Sequence, residues 1–335
     1  MRIEVYPKVS PEVLEREVQD ATLRELAWLI TEIQESLLSL RSGLEECLSL
    51  LAPSQPGSTL VLSTSRSEGL KGFVTRVGSG IVKGDMQVKM HGLANTKGLG
   101  YYRLQLSGQS ETSLHLPQLT DCRNFVQSAL TTLPSSASVQ TQKSLSLPTK
   151  TASAVIDSKL LTSQLDSLLS DIRSARGILK ATPKSNLFPY HAVDGGLFEP
   201  TLPENLALDV TIQDAAIVTE IRLLEYVNTP SAGYAGITAA LAGMNIDQHL
   251  SNFNFREKIA GAFKGRKQTA AGAVDGGEEG VCVYKGVEVR VKERIRVESQ
   301  DPSLMSVVAK LGALEHNLAM GRTSLEIVMR SGCSF

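Results

Sequence analysis

The glycines of "VGSGIVKG", Gly78, Gly80 and Gly84, come close to a pattern that lets a backbone wrap a phosphate. That pattern, G-x-G-x-x-G, closes a strand and opens a helix, so that the helix N-terminus meets the anion. Here the third glycine falls one residue late and the chain runs on as a strand, so a nucleotide site is not expected. No GK[ST] completes a phosphate loop, and "GAFKGRK", Gly261 to Lys267, lacks both the spacing and the hydroxyl.

The five histidines, His91, His115, His191, His249 and His316, are scattered. No HExxH, GxSxG or SxxK sets a base or a metal beside a nucleophile. The four cysteines, Cys47, Cys122, Cys282 and Cys333, are far apart, with no CxxC and no histidine at ligand spacing. They read as reduced thiols rather than as a disulfide or a zinc site. Asp194, Gly195 and Gly196 read as a turn.

One charged pattern stands out. Arg290, Lys292, Arg294 and Arg296 repeat every second residue of "VEVRVKERIRVE", which puts four cations on one strand face over about 20 Å. That face could meet an acidic partner surface or anionic lipid. Glu288 and Glu298 offset some of the charge, so a solvated strand face is the plainer reading.

Composition narrows the classes. A formal net charge of −1 removes the electrostatic footprint of a dedicated nucleic-acid binder. No apolar run approaches the length of a membrane span, and "MRIEVYPKVSPEVLEREV" lacks the apolar stretch of a signal peptide. A cytoplasmic protein is expected.

The elements that would position these residues can be read in order. Leu26, Ile30, Ile33, Leu37, Leu40, Leu44, Cys47 and Leu51 alternate intervals of 4 and 3, the seam of a helix. Ser10 is placed to cap it, Pro11 to start it and Pro53 to end it. That makes about 40 residues, or roughly 60 Å. Leu29, Leu38 and Leu48 widen the seam, favouring packing within the chain over an intermolecular coiled coil.

"TLVLSTS", "KGFVTRV", "GDMQVKM" and "GYYRLQLS" then read as an antiparallel meander. A second helix follows, with Leu119, Cys122, Phe125 or Val126, Ala129 and Leu133 on one face. Residues 134–153 hold nine Ser and Thr in 20 residues, so a flexible linker is expected there. A third helix carries Ile156, Leu160, Leu161, Leu165, Leu168, Leu169, Ile172, Ala175 and Leu179 inward.

The stretch "LFEPTLPENLALDVTIQDAAIVTEIRLLEYV", Leu197 to Val227, reads as a proline-led strand and then a helix, since Leu206, Leu208, Val210 and Ile212 have period two and the later apolar residues fit period 3.6. Residues 229–280 hold 19 Ala and Gly in 52 and read as a long loop, with transient helix near Ile237 to Ala242. A hairpin with its two-residue turn at Lys285 and Gly286, and a helix after Pro302 carrying Leu304, Val307 or Val308, Leu311, Leu314 or Glu315, and Leu318 inward, complete the chain.

An α+β class follows, with an antiparallel helical bundle and a segregated antiparallel β-sheet part. The bundle takes 11–52, 117–133, 151–181, 213–228 and 303–330. The β part takes 58–107, 204–212 and 281–298, and 134–150 and 229–280 are flexible loops.

Laid out this way, the chain resembles the Rogdi family, the small subunit of the RAVE complex, regulator of the ATPase of vacuolar and endosomal membranes. "QLTDCRNFVQSAL" is similar to one family block through Asp121, Arg123, Asn124, Gln127 and Ala129. "LFEPTLPENLALDVTI" resembles a P-x-L-P-x-[DN]-L signature through Phe198, Pro200, Leu202, Pro203, Asn205 and Leu206. "VEVRVKERIRVESQDPSLMSVVAKLGALEH" is a weaker third block, and "RELAWLITEIQESLLSL" agrees at the N-terminus. The Ala/Gly-rich segment and the Ser/Thr-rich linker have no counterpart in the pattern.

The resemblance implies an elongated molecule without catalytic, metal or cofactor residues. It implies an adaptor that promotes assembly or reassembly of the vacuolar-type proton ATPase. Its partners would be a large WD-repeat RAVE subunit and ATPase subunits, and it would reach vacuolar or endosomal membranes peripherally through them. A homodimeric coiled-coil scaffold and an enzyme of unrecognised class are the alternative readings.

Overall fold

The computed structural model describes residues 10–52, 57–64, 69–93, 100–106, 113–133, 151–227 and 281–332. The expected loops at 134–150 and 229–280 lie outside the described residues, as does the transient helix near Ile237. Two compact units divide the chain, one of 1–223 with 293–335 and the other of Leu224–Lys292.

Helix α1 (Pro11–Leu51) starts with Pro11 at its first position, where the missing N–H costs nothing. The Ser10 hydroxyl makes no capping bond. Its carbonyl instead accepts from the amides of Val13 and Leu14, each at 3.1 Å. Seven of the eight seam residues are buried, Leu44 and Cys47 fully, and Ile30 is half-buried. The seam is covered by the chain itself, which leaves it unavailable to a second copy.

A first sheet follows. Strands β1 (Ser58–Ser63), β2 (Leu70–Val77), β3 (Gly80–Val88) and β4 (Tyr102–Leu106) pair antiparallel in that order. Short β5 (Leu114–His115) adds to β3, and β6 (Phe198–Glu199) adds to β4. The glycine in mid-β2 has a reason: a Cβ at Gly72, whose φ is 155°, would lie 2.0 Å from the Asp85 carbonyl oxygen on β3. Only glycine permits so close a backbone approach.

Helix α2 (Pro117–Thr132) buries Leu119, Cys122, Val126 and Ala129. Helix α3 (Thr151–Lys180) buries Leu161, Leu165, Leu168, Leu169, Ile172, Ala175 and Leu179, whereas Leu160, expected inward, is 70% exposed. Helix α4 (Pro302–Gly332) runs antiparallel to α1: Lys310 meets Glu46 at 2.7 Å, and a Cβ at Gly321 would lie 3.6 Å from Ile33. It also meets α3, through Arg176 and Glu315 at 2.5 Å.

The second sheet has the order β7, β8, β10, β9, from strands β7 (Leu206–Gln213), β8 (Ala216–Tyr226), β9 (Val281–Tyr284) and β10 (Val287–Gln300). Here the expected helix at 213–228 is overturned, because Gln213 ends β7 and residues 216–226 form β8. The turn between β7 and β8 is Asp214 and Ala215, with φ of 47° and 60°. Positive φ at both central residues defines a hairpin turn that normally carries Asn or Gly. The amides of the turn donate to the last carbonyls of α3, Asp214 to Lys180 at 3.1 Å and Ala215 to Leu179 at 2.9 Å. The hairpin thus caps a helix whose final carbonyls would otherwise be orphaned. The second unit carries the Lys285–Gly286 turn, with φ of 49° and 82°.

The expected architecture is corrected accordingly. In place of an elongated antiparallel bundle beside one segregated β part, the described residues form four helices and two antiparallel sheets. Within the larger unit one hydrophobic cluster draws on all four helices and on strands of both sheets, from Leu37 through Leu62 and Leu168 to Ile212 and Leu311. The parts are not segregated because both β7 and β8 are buried on their two faces, so their apolar residues belong to the same interior as the helices.

Candidate interaction site

The block from Leu197 to Ile212 is where the chain leaves the first sheet for the second. Phe198 is buried opposite Leu106 in β6. Asp194 begins the approach with a short helical turn, its carboxylate accepting from the Gly196 amide at 3.1 Å. The Leu202 amide donates to the Gly195 carbonyl at 3.1 Å, and a Cβ at Gly195 would press to 2.9 Å from Leu202. Pro200 is exposed, while Pro203 is half-buried and its carbonyl accepts from Leu206 at 2.9 Å. Leu206, buried opposite Leu223, starts the second sheet. The prolines hold the approach extended, since each biases its predecessor away from helix.

On α2 the block residues divide by face. Cys122, Val126 and Ala129 enter the core, whereas Asp121, Arg123 and Asn124 are exposed. Burial pushes the Cys47 thiol up to about 11 and the Cys122 thiol to about 12, which leaves both protonated and unreactive at neutral pH. Cys282 is a half-buried cysteine, and Cys333 and His249 lie outside the described residues.

The cations of β10 alternate outward as expected, with Ile295 and Val297 buried between them. In the larger unit Arg294 pairs with Glu220. Arg296 donates to Gln213 at 2.6 Å and to Glu298 at 2.7 Å. Burial, followed by the charge of Arg296, lowers the Arg294 guanidinium from its ordinary value. In the smaller unit Lys292 meets Glu225 at 3.0 Å, and exposed Arg290 sits opposite Val281 in the β9–β10 register. Three of the four cations therefore face a carboxylate within their own unit.

A buried ionic cluster was not foreseen. Asp209 and Glu220 sit directly across from each other on β7 and β8. Arg222 joins them, at 2.5 Å to Asp209 and 2.6 Å to Glu220, and the Phe188 ring lies 4.8 Å from its guanidinium. Burial pushes the Asp209 carboxyl up against the pull of Arg222. The available signal was Asp209, Glu220 and Arg222 themselves, charges set among apolar residues of two strands buried on both faces.

Open grooves lie along the helices. One of about 520 Å³ between α3 and α4 is lined by Asp166, Ser170, Arg173, Arg322 and Thr323; Arg322 there pairs with Asp166 at 2.5 Å and Arg173 with Glu315 at 2.9 Å. Among the described residues no three His, Cys, Asp or Glu side chains come together to hold a metal ion, and no helix is long and apolar enough to cross a membrane. Gly78, Gly80 and Gly84 belong to the β2–β3 hairpin, so that cluster opens no phosphate-binding helix.

A protein of Schizosaccharomyces pombe, "Regulator of V-ATPase in vacuolar membrane protein 2", is 24% identical over 311 residues, spanning 88% of this chain and 89% of the relative. The family described as Rogdi leucine zipper containing protein matches residues 25–326. That span takes in the seam of α1, the outward face of α2, the proline-led crossover between the sheets and most of α4, and the chain belongs to the Rogdi leucine zipper family.

Proposed function

We propose that this chain is a non-catalytic adaptor subunit of a RAVE-like complex, promoting assembly or reassembly of the vacuolar-type proton ATPase. The observation that carries the reading is the alignment with a relative named as a regulator of V-ATPase in the vacuolar membrane, along 88% of one chain and 89% of the other. Likeness over nearly the whole of both chains supports a shared role better than likeness of one module would, because a single module can serve proteins of different roles.

In this reading the protein works from the cytoplasm and reaches vacuolar or endosomal membranes through its partners, a large WD-repeat subunit and ATPase subunits. Affinity purification of the tagged, full-length protein tests it. The WD-repeat protein and ATPase subunits should be recovered together. Recovery of neither, under conditions that keep the ATPase intact, rejects the proposal.

A further inference from the structure

Helix α1 carries a second apolar face that no other described residue covers. With α4 running antiparallel through Glu46–Lys310 and Ile33–Gly321, α4 ends at Gly332 about level with Thr22 of α1. Residues 10–21 are exposed on every side. A segment of that length is marginal as a free helix and here extends from the packed remainder of α1.

Leu14, Val18, Ala21 and Trp28 follow one another at helical spacing, on a stripe about 115° around the helix from the buried seam at Leu26 and Ile33. Leu14 is 55% exposed, Val18 44% and Trp28, the chain's single tryptophan, 62%. A tryptophan so exposed on an apolar stripe has the makings of an interface anchor.

The stripe is interleaved with acids. Glu17 lies beside it, and Glu25 and Glu32 stand in line with it before and after Trp28, all three exposed. Over residues 11–32 there are six carboxylates against two guanidiniums, Arg16 and Arg24. The helix dipole accounts for acids only in the first turn, so Glu25 and Glu32 are not explained by it. A second copy of this face would set like charges against each other, and anionic lipid would be repelled.

We infer that the Leu14–Val18–Ala21–Trp28 face docks a cationic amphipathic helix of a partner protein, its apolar residues on the stripe and its lysines or arginines against Glu17, Glu25 and Glu32. This deepens the adaptor reading and rests on it.

Trp28 reports on the test directly. The full-length protein is titrated with a synthetic amphipathic helix bearing leucines at i, i+3, i+4 and i+7 flanked by lysines, and with the same peptide flanked by glutamates. The lysine peptide should bind saturably, with a blue shift of Trp28 emission. Leu14→Ser with Val18→Ser should weaken it about tenfold or more without changing the melting temperature, since both side chains are exposed. Glu17→Lys with Glu25→Lys should reverse the preference between the two peptides.

An unmoved Trp28, or equal binding of both peptides, overturns the inference. So does a dimer in sedimentation that the Leu14→Ser, Val18→Ser variant dissociates, or binding to phosphatidylserine-containing vesicles through the same residues. In the affinity purification, equal recovery of ATPase subunits by the wild type and this variant removes the docking face while leaving the adaptor role standing. Recovery of none by the wild type removes the adaptor role itself.

Discussion

Gln118 hydrogen-bonds both main-chain polar groups of Ile212: its carboxamide oxygen accepts from the Ile212 amide at 2.7 Å and its nitrogen donates to the Ile212 carbonyl at 2.9 Å. One side chain of α2 thus takes the place of a neighbouring strand along the outer edge of β7. An uncovered edge offers unpaired amides and carbonyls to other chains. The same nitrogen lies 3.2 Å from the Ile178 carbonyl, so α2, α3 and the second sheet meet at one buried amide.

Gln118→Leu keeps the volume and removes both functions, leaving the Ile212 amide unpaired in the interior. The expected cost is about 1–3 kcal/mol, read as a lower denaturation midpoint at unchanged m-value. Gln118→Glu should not rescue it, because a carboxylate at this 3%-exposed position would be a buried charge facing the Ile212 and Ile178 carbonyls.

Arg76 and Asp301 form an ion pair at 2.7 Å in which neither side chain is exposed. Arg76 also donates to the carbonyls of Leu51, at the end of α1, and Gly78, at the β2–β3 turn. Asp301 caps α4, its other oxygen accepting from the Ser303 amide at 2.9 Å. Removing one partner of such a pair strands a buried charge, so Arg76→Met is expected to destabilise by about 3–5 kcal/mol. Asp301→Asn keeps the cap and loses the charge, whereas Asp301→Ala loses both; the alanine variant should be less stable than the asparagine one by about 1 kcal/mol. Equal stability of the two in denaturant titrations would show that the cap contributes nothing.

Neither relationship was legible in the sequence, because both join residues far apart in the chain, Gln118 to Ile212 and Arg76 to Asp301. What was legible depended on periodicity. The seam of α1 and the faces of α2 and α4 emerged because one side of each is wet, which keeps the 3.6-residue period visible. β8 was misread for the opposite reason. Strands buried on both faces show no alternation, and Ala215, Ile217, Ile221 and Leu224 mimic a helical stripe. The turn that should have marked the hairpin uses Asp214 and Ala215 at positive φ instead of the Asn-Gly that signals it. The charges of β10 were legible as a pattern, but their carboxylate partners on other elements were not.

Glu315 makes stability depend on pH. Burial pushes its carboxyl up, but hydrogen bonds from Arg173 at 2.9 Å and Arg176 at 2.5 Å outweigh that and hold it below its ordinary value. A carboxyl lowered on folding adds stability above its unfolded value, near 4.3, and that stability is lost as pH falls through the folded value. Glu315→Gln should therefore cost about 1 kcal/mol at neutral pH, with the gap to wild type closing on acidification. Because Arg173 is 58% exposed, added salt should narrow the gap as well. A gap that stayed constant with pH would assign the loss to packing.

Leu37 is 2% exposed in the seam of α1, and Leu38, the next residue, is 39% exposed. The pair separates burial from composition. Leu37→Asp puts a carboxylate among the apolar residues shared with α4, where Gly321 packs on Ile33 and a Cβ at Gly43 would meet Leu314 at 3.0 Å. A loss of about 3–5 kcal/mol or more is expected, against a typical domain stability of about 5–15 kcal/mol. Leu38→Asp carries the same charge on the wet side and should stay within about 0.5 kcal/mol of wild type. Thermal unfolding followed by circular dichroism distinguishes them: the first variant should lose its cooperative transition or melt far lower, and the second should overlay the wild type. If the two melted alike, the seam would not be the buried face, and its residues would again be open to a partner helix.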